Sequence, residues 1–481
     1  MSLKSKVLEG IKWRGIVDIS QQLLQILFTI ILARLLTKAD FGMVAMALLV
    51  NRFVVSITNI GFGTAIIQSQ TVNKGQISAI FYIQFGINVL LCSLVYLGAD
   101  IAARFFDEPG LVPIIQAISF VIFLQTFQFP NILLKKNMDF KSFSISEMIS
   151  MVSSNIIAIV LAFMGYGVWA LVWRLLMQRT IFGALSFLYG KWFPTKPEFQ
   201  GIKPLFKFGL NMLGSNIIHY FAENMIGILT GKLLGKEVLG LFNIAYNLAI
   251  KPSTQIQSIL SSVLTAGFSK IQFNIETFRR NNMNVMRITS LFFLPFMIML
   301  SATSTNLIVT FYGEKWGEAG NMLLFLSFVG VFRGLSHLMR NAIISVGNSR
   351  AIFYATIIEI ISSLPLMYFL MPYYGIYGLM VGYFIGALGG WLYLSKKYNE
   401  SISNPHGVLK AISFSVINSA ILFAVVYSLN LLEFSAIVTL VLQMVSGTLL
   451  FVLILWFFNR EELMLIVDNF RKKLKFRRNN K

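Results

Sequence analysis

The sequence has few charged residues and few of the residues that build catalytic or metal sites. Charged residues make up 12% of the 481 positions, about half of the ~25% found in soluble domains. One cysteine excludes an internal disulfide, and the three histidines lack metal-ligand spacing. There is no Asp-x-Asp pair to hold a metal with a sugar nucleotide, and "GKLLGKE" has the wrong spacing for a phosphate loop. We therefore predict no catalytic residue, no metal and no cofactor, and expect that the chain is not an enzyme.

Hydrophobic residues are abundant. They make up 56% of the chain, and the mean hydropathy is +0.72, which indicates an integral membrane protein. The net charge of +20 is spread over short segments between hydrophobic runs, as in cytoplasmic loops, so nucleic acid is not predicted as a partner. Cys92 lies within an apolar run, where a small buried hydrophobe is the simplest interpretation.

The hydrophobic runs predict fourteen membrane-spanning helices of about 20 residues each. The fold class is therefore an all-α integral membrane protein. The predicted spans lie near 15–35, 42–66, 78–98, 112–134, 143–164, 167–189, 205–230, 238–266, 287–311, 319–346, 351–371, 375–395, 408–429 and 434–458.

The distribution of lysine and arginine predicts the orientation. With the N-terminus in the cytoplasm, 28 of the 40 basic residues fall in cytoplasmic segments, and six lie within spans. The remaining six fall in the short external loops: Arg34, Lys38, Arg104, Lys232, Lys236 and Lys315. This asymmetry predicts that both termini are cytoplasmic.

A polar helix face occurs twice in the chain. Asp18, Gln21, Gln22 and Gln25 have the i, i+3, i+4, i+7 spacing of one helix face. An offset of 198 residues brings this face onto Asn216, His219, Tyr220 and Glu223, and brings Arg34, Lys38 and Gly42 onto Lys232, Lys236 and Gly240. "YGVWALV" at 166–172 recurs as "YGIYGLM" at 374–380. Two matches in the same order indicate an internal duplication.

The duplication predicts two pseudo-symmetric six-helix lobes followed by two additional helices. The predicted divisions are an N-lobe at 1–190, a cytoplasmic linker at 191–204, a C-lobe at 205–395, the last two spans at 396–458 and a basic amphipathic tail at 459–481. We expect the tail to lie on the anionic cytoplasmic leaflet. A water-filled path between the lobes would be lined by the polar faces.

Basic residues within spans are the first candidates for that path. A cation in the bilayer core costs at least about 2.5–3.5 kcal/mol, so it should face a cavity, a partner or the interface. The deepest ones are Arg52, Lys251 and Arg333. Arg340 is on the same helix face as Arg333 and His337, and Arg174 and Arg179 lie on the sixth span; these arginines could instead reach the lipid headgroups.

Acids and amides complete the candidate set. Asp18, Glu223 and Glu359 could each bind a coupling H⁺ or Na⁺, or could neutralise a nearby arginine, and the sequence leaves both possibilities open. Asn243 and Asn247 line one helix face with Lys251 and could contact substrate or hydrogen-bond between helices. The substrate-binding candidates are Arg52, Lys251, Arg333, Arg340, Arg174, Gln21, Gln22, Gln25, Asn216, His219, Asn243 and Asn247.

Several segments carry a resemblance to a known family. They are "SLKSKVLEGIKW", "ILARLLTKADFGMVAMAL", "GFGTAIIQ", "LGLFNIAYNLAIKPSTQIQSILSSVLTAGFSKIQ" and "FYGEKW". Together they resemble the polysaccharide-transporter branch of the MOP superfamily, and within it the Wzx-type flippases of the colanic-acid exporter kind. The resemblance implies two six-helix lobes around a V-shaped cavity. It also implies alternating-access transfer of an undecaprenyl-diphosphate-linked oligosaccharide across the bacterial inner membrane.

The partners expected on this basis are the lipid-linked oligosaccharide, membrane lipids, a coupling H⁺ or Na⁺ and a polysaccharide polymerase complex. The main alternative is a cation-coupled drug exporter of the same superfamily. It would need acids and aromatics for a cationic substrate, whereas basic residues outnumber acids within the spans. A membrane-bound polymerase or glycosyltransferase fits less well, because the sequence lacks the acid pairs of such enzymes. A non-transporting scaffold also fits less well, because the polar faces would then have no purpose.

Overall fold

In the computed structural model, every described element is a helix, which confirms the all-α class. The structure describes residues 3–58, 63, 66–67, 72–200, 203–268, 275–402 and 406–458. Within these ranges, the structure does not describe the side chains of residues 3–14, 16, 58, 203–215, 219, 251–252, 254–268, 275, 277–278, 349 and 458. The α-helices are α1 (Leu3–Leu35), α2 (Lys38–Thr58), α3 (Lys74–Leu97), α4 (Ala99–Phe105), α5 (Val112–Gln125), α6 (Pro130–Lys136), α7 (Phe140–Phe163), α8 (Val168–Gly190), α9 (Lys203–Phe268), α10 (Ile275–Ala302), α11 (Ser304–Tyr312), α12 (Gly317–Ser345), α13 (Ser349–Tyr374), α14 (Ile376–Ser401), α15 (Gly407–Ser428) and α16 (Ala436–Phe458).

Twelve helices among the described residues are long and apolar enough to cross a membrane. This number and the apolar composition make the chain an integral membrane protein. The long helical run α9 is not among the twelve. It is interrupted at Gly235, where φ is 82° and ψ is −179°, and it covers the region of the seventh and eighth predicted spans.

Some helix boundaries differ from the predicted ones because of local capping. α2 begins at Lys38, earlier than the predicted 42, since the Thr37 backbone N–H donates to Asp40 Oδ2 at 2.9 Å and the Asp40 N–H donates to Thr37 Oγ1 at 3.2 Å. The fourth span ends at Gln128 rather than 134. Pro130 lacks a backbone N–H and occupies the first turn of a separate short helix, α6.

Helix interruptions and one unusual glycine conformation occur at matched positions of the duplication. Gly235, where α9 is interrupted, corresponds by the 198-residue offset to Thr37, which separates α1 from α2. Gly167 has φ 53° and ψ −129°, and its counterpart in the second echo, Gly375, has φ 55° and ψ −130°. Residues with a Cβ rarely adopt this conformation. The agreement supports a true internal duplication.

The chain separates into two compact units, residues 1–243 and 244–481. The first unit contains α1–α8 and the first part of α9, so the start of the second sequence repeat packs with the first. Gly42 of α2 lies directly against the Lys236 carbonyl group, and Gly240 lies directly against the Lys38 carbonyl group. These two contacts are equivalent under the 198-residue offset. The lobe boundaries predicted from the sequence concern pseudo-symmetry and stay a prediction.

The second unit is centred on a hydrophobic core shared by α10, α12, α14 and α15. Phe293, Leu335, Trp391 and Ile412 represent these four helices in the core. α13 packs on α14 through a line of glycines at every fourth position: Gly378, Gly382, Gly386 and Gly390. Small residues of this kind let two helix backbones approach closely in a membrane.

Candidate functional site

The second unit contains an ionic cluster between three helices, which we call the arginine cluster: Arg333, Arg340, Thr356, Glu359 and Tyr383. Arg333 Nη2 on α12 lies 2.8 Å from Glu359 Oε1 on α13. Arg340 Nη2 lies 3.9 Å from Glu359 Oε2, and its Nη1 donates to Thr356 Oγ1 at 3.3 Å. The Arg333 guanidinium lies 4.7 Å from the ring centre of Tyr383 on α14. One carboxylate therefore serves two arginines, and an aromatic face stabilises one of them.

The glycine face of α14 fixes the position of Glu359. A Cβ on Gly386 would lie 2.8 Å from the Glu359 carbonyl oxygen, and a Cβ on Gly390 would lie 3.5 Å from the Glu359 Cβ. α13 is thus held against α14 at the level of the carboxylate. Because the helix backbones are in contact here, Glu359 is presented to α12 on a rigid support.

The arginine cluster lies deep in the helical layer. Arg333 is about 24 Å from the start of α12 and about 18 Å from its end at 1.5 Å per residue. The side chains of Arg333 and Glu359 are 13% and 16% exposed. On the same face of α12, the His337 Nδ1 and Asn341 Nδ2 atoms are 3.3 Å apart. Because both side chains are only slightly exposed, water screens this arginine–carboxylate pair only in part.

Arg52 on α2 is a basic candidate of the first unit. Its side chain is exposed, and it makes no hydrogen bond or ion pair with any other described residue. Its neighbours on α2 contact Tyr220 of α9. The Tyr220 hydroxyl donates to the Leu49 carbonyl at 2.8 Å, and the Tyr220 ring packs 5.3 Å from the Phe53 ring. The structure therefore brings Arg52 of α2 beside the polar face that the second repeat presents on α9.

The polar face of α1 lies beside an exposed apolar face of the same helix. Ile19, Leu23 and Leu27 are 54%, 60% and 56% exposed, whereas Asp18, Gln21, Gln22 and Gln25 are half-buried. Gln25 Nε2 donates to Thr29 Oγ1 at 3.3 Å. The Gln21 Nε2 atom is buried and has no hydrogen-bond partner among the described residues. Gln21 thus keeps an unused donor, whereas Gln25 is satisfied within its own helix.

The second polar face is described in part. Asn216 and Glu223 are half-buried on α9, as are Asn243 and Asn247 beyond the interruption at Gly235. The side chains of His219 and Lys251 lie outside the described residues. The predicted line of Asn243, Asn247 and Lys251 therefore stays a prediction.

The two arginines of α8 differ in their surroundings. Arg174 is half-buried, and its Nε atom has no hydrogen-bond partner among the described residues. Arg179 is exposed and donates from Nη1 to Gln128 Oε1 at 3.2 Å. Arg174 is the better candidate for a ligand contact, because an unsatisfied buried donor is costly unless a ligand or water accepts from it.

The sequence does not predict several partners of these charges. Tyr383 and Thr356 were not expected to contact the arginines, and Gln128 was not expected to accept from Arg179. Thr356 had a weak signal, since it precedes Glu359 by three residues on one helix face. Tyr383 and Gln128 had none, because they come from different helices and a single sequence does not give interhelical contacts.

Comparison with known proteins identifies the relatives of this chain. Residues 31–321 match the model of the family described as "Polysaccharide biosynthesis protein". The chain is 25% identical over 346 residues to the lipopolysaccharide biosynthesis protein WzxC of Escherichia coli K12, covering 70% of this chain and 69% of WzxC. It is 26% identical over 360 residues to the teichuronic acid biosynthesis protein TuaB of Bacillus subtilis 168, covering 73% of this chain and 74% of TuaB.

The fold also has a counterpart among solved structures. The lipid II flippase MurJ, in an inward closed conformation, superposes with a TM-score of 0.76 at 18% identity. The match covers 93% of this chain and 99% of MurJ. At this identity the likeness concerns the fold. Because the family model matches more than half of the sequence, the chain belongs to the polysaccharide biosynthesis protein family of integral membrane proteins.

Proposed function

We propose that this chain is a flippase for an undecaprenyl-diphosphate-linked oligosaccharide. It would move the lipid-linked repeat unit from the cytoplasmic to the outer leaflet of the bacterial inner membrane, for export of a surface polysaccharide. The family membership and relatives named for lipopolysaccharide and teichuronic acid biosynthesis support this proposal. So does the fold shared with a protein named as a lipid II flippase.

The observation that carries the proposal is the exposed position of the Arg52 side chain. Arg52 lies about 9 Å inside the end of a membrane-spanning helix at 1.5 Å per residue. Its side chain is exposed and has no carboxylate beside it among the described residues. A cation in this position needs a mobile anion or water. The planar fork of a guanidinium matches phosphate oxygens, so a diphosphate is the fitting occupant.

The remaining polar candidates suit the other parts of the substrate. Gln21 and Arg174 offer unused donors, and Asn216, Asn243 and Asn247 offer amides that can bind sugar hydroxyl groups. The polyprenyl tail would stay in the lipid, as the exposed apolar face of α1 allows. Arg333 and Arg340 would provide a second cationic position, held in place by Glu359.

The proposal includes a topology. The twelve described spans and two further spans on either side of Gly235 would give fourteen, with both termini in the cytoplasm. The six-helix lobes would comprise residues 1–190 and 205–395, related by an axis along the membrane normal. Export of an anion from a negative interior is favoured by the membrane potential, by about 2.3 kcal/mol per charge per 100 mV.

Asp18 and Glu223 stay candidates for coupling to H⁺ or Na⁺, and each already has an interaction partner of its own. The Glu359 carboxylate already faces two guanidiniums, which makes it a poor cation site. The same contact weighs against a drug exporter, since a cationic substrate would need that carboxylate available. A polysaccharide polymerase complex is the expected partner on the outer side.

Transport in proteoliposomes tests the proposal. The purified full chain is reconstituted with a fluorescent undecaprenyl-diphosphate oligosaccharide, and movement of the label between leaflets is followed by accessibility to an external quencher. We expect transfer by the native chain and strongly slowed transfer in Arg52→Gln. A native chain that transfers a cationic dye but no lipid-linked diphosphate would overturn the proposal in favour of the exporter.

A further inference from the structure

Two ion pairs join the second repeat to the loop between α3 and α5. Lys232 Nζ lies 2.5 Å from Asp107 Oδ2, and Lys236 Nζ lies 2.9 Å from Glu108 Oε2. The lysines lie on either side of the interruption of α9 at Gly235, and the acids are consecutive in the chain. We call these four residues the lysine clasp. On the topology proposed above, the lysine clasp lies on the outer side of the membrane.

The lysine clasp lies next to the contact between the two repeats. Lys236 is the residue whose carbonyl packs on Gly42, and its counterpart Lys38 packs on Gly240. The ion pairs thus form where α2 and α9 meet in the first unit. Separation of the two repeats at this point would withdraw the lysines from the acids.

The lysine clasp is partly open to solvent and adjoins an apolar face. The Lys232 and Lys236 side chains are each 33% exposed, and Asp107 is 73% exposed. On the neighbouring segment, Leu97, Ile101 and Phe105 are 78%, 76% and 47% exposed. Ile101 and Phe105 follow i, i+4 spacing on α4, so they share one face, and Leu97 ends the preceding helix α3. The Lys232 ammonium lies 5.7 Å from the Phe105 ring centre. Cationic and apolar groups therefore adjoin, as an anionic lipid requires.

We infer that Lys232 and Lys236 form a binding site for the diphosphate of a polyprenyl lipid at the outer leaflet, masked by Asp107 and Glu108 while the repeats are in contact. This inference rests on the proposed function and assigns it a release site. The two ammonium groups contact acids that are consecutive in the chain, so both lysines point to one place, where one diphosphate can bridge them.

The masking acids suit an exchange of partners. Ion pairs with this exposure are weak, so they open at little cost. When they open, the diphosphate replaces the carboxylates on the lysines, and the apolar face of α4 receives the start of the lipid chain. Lysine suits this role because it binds phosphate as a point charge, without the tight geometry of arginine.

The test uses the full chain in right-side-out vesicles of phosphatidylethanolamine and phosphatidylglycerol. A photoreactive undecaprenyl diphosphate is added from outside, and its label on residues 228–240 is quantified by mass spectrometry. We expect Lys232→Gln/Lys236→Gln to reduce the label at least fivefold, and Asp107→Asn/Glu108→Gln to raise it at least threefold. Arg104→Gln/Lys315→Gln removes two other external charges and should leave it unchanged.

A charge-reversed chain distinguishes ligand binding by the lysines from a role of the ion pairs in the fold alone. Asp107→Lys/Lys232→Asp with Glu108→Lys/Lys236→Glu keeps both ion pairs, and we expect it to fold but lose the label on 228–240. If this chain, or Lys232→Gln/Lys236→Gln, carries as much label on 228–240 as the native chain does, the inference is overturned. Displacement of the probe by excess phosphatidylglycerol or by inorganic pyrophosphate as effectively as by unlabelled undecaprenyl diphosphate would also overturn it.

Transfer by the native chain in the same vesicles distinguishes the two levels of failure. If the native chain transfers lipid-linked oligosaccharide while the labelling results contradict the inference, the release site alone is wrong. If the native chain transfers none, the proposed function is wrong.

Discussion

Gly42 and Gly240 occupy the same position in the two copies of the repeat, and each packs on the backbone carbonyl of the lysine that precedes the other by four residues. A Cβ on Gly240 would also lie 3.2 Å from the Gly42 nitrogen. The two copies therefore meet through backbone atoms rather than side chains. Such a contact requires glycine at both positions, because any larger residue would separate the helices.

Gly42→Ala and Gly240→Ala should each lower the free energy of unfolding. The new methyl group meets backbone atoms, which cannot rotate away as a side chain can, so we expect about 1–3 kcal/mol of overpacking. Thermal unfolding in detergent measures the effect. Gly86→Ala is the matched control, because a Cβ at this position of α3 would have no neighbour within 4 Å among the described residues; there, alanine should stabilise by roughly 0.5–1 kcal/mol. Equal effects at all three positions would contradict the close contact.

Glu359→Gln should be strongly destabilising. It leaves the guanidinium of Arg333, at mid-helix depth, and that of Arg340 without the carboxylate they share, a change that typically costs about 3–5 kcal/mol. The Arg333→Gln/Glu359→Gln double variant should recover part of this loss, since it removes both partners of the pair. Unfolding in detergent of the native chain, Arg333→Gln, Glu359→Gln and the double variant gives the coupling free energy. Lys397→Gln breaks an exposed i, i+3 pair with Glu400 and should leave stability unchanged.

The glycine line of α14 predicts a second stability difference. A Cβ on Gly382 would lie 2.6 Å from Met367 Cγ and 2.8 Å from the Met367 nitrogen, whereas a Cβ on Gly389 would meet the Ser362 hydroxyl at 3.1 Å. Gly382→Ala should therefore lower stability by about 1–3 kcal/mol, while Gly389→Ala should be nearly neutral, because the serine can rotate. Circular-dichroism melts of the two variants provide the comparison. A larger loss for Gly389→Ala would refute the packing.

The sequence predicts those features of the fold that depend on composition, on the repeat offset and on helical spacing. Hydropathy locates the helices, and the offset of 198 residues by itself relates Thr37 to Gly235 and Gly42 to Gly240. Helix spacing also puts Arg333 and Arg340 on one face. It does not give Tyr383 or the Arg333–Glu359 contact, because these depend on which helices become neighbours. Hydropathy alone also places the end of the fourth span too late, because Pro130 interrupts a continuous apolar run.

Arg52→Gln should slow transport strongly without lowering stability. The Arg52 side chain makes no hydrogen bond or ion pair with another described residue, so its loss removes no contact that holds the fold together. A charge-assisted hydrogen bond to phosphate contributes about 1.5–3 kcal/mol, which corresponds to a decrease of about 10–100-fold in transfer rate. Arg52→Lys keeps the charge but loses the fork, so we expect an intermediate rate.

The neighbouring residue Asn51 provides the opposite control. It is buried, and its Nδ2 donates to the Ile118 carbonyl at 3.2 Å. Asn51→Ala should therefore lower the melting temperature while leaving the transfer rate per folded molecule near native. Transfer in proteoliposomes, normalised to folded protein, gives both quantities. If Arg52→Gln instead lowers the melting temperature and retains transfer, then the guanidinium stabilises the fold and does not touch the substrate.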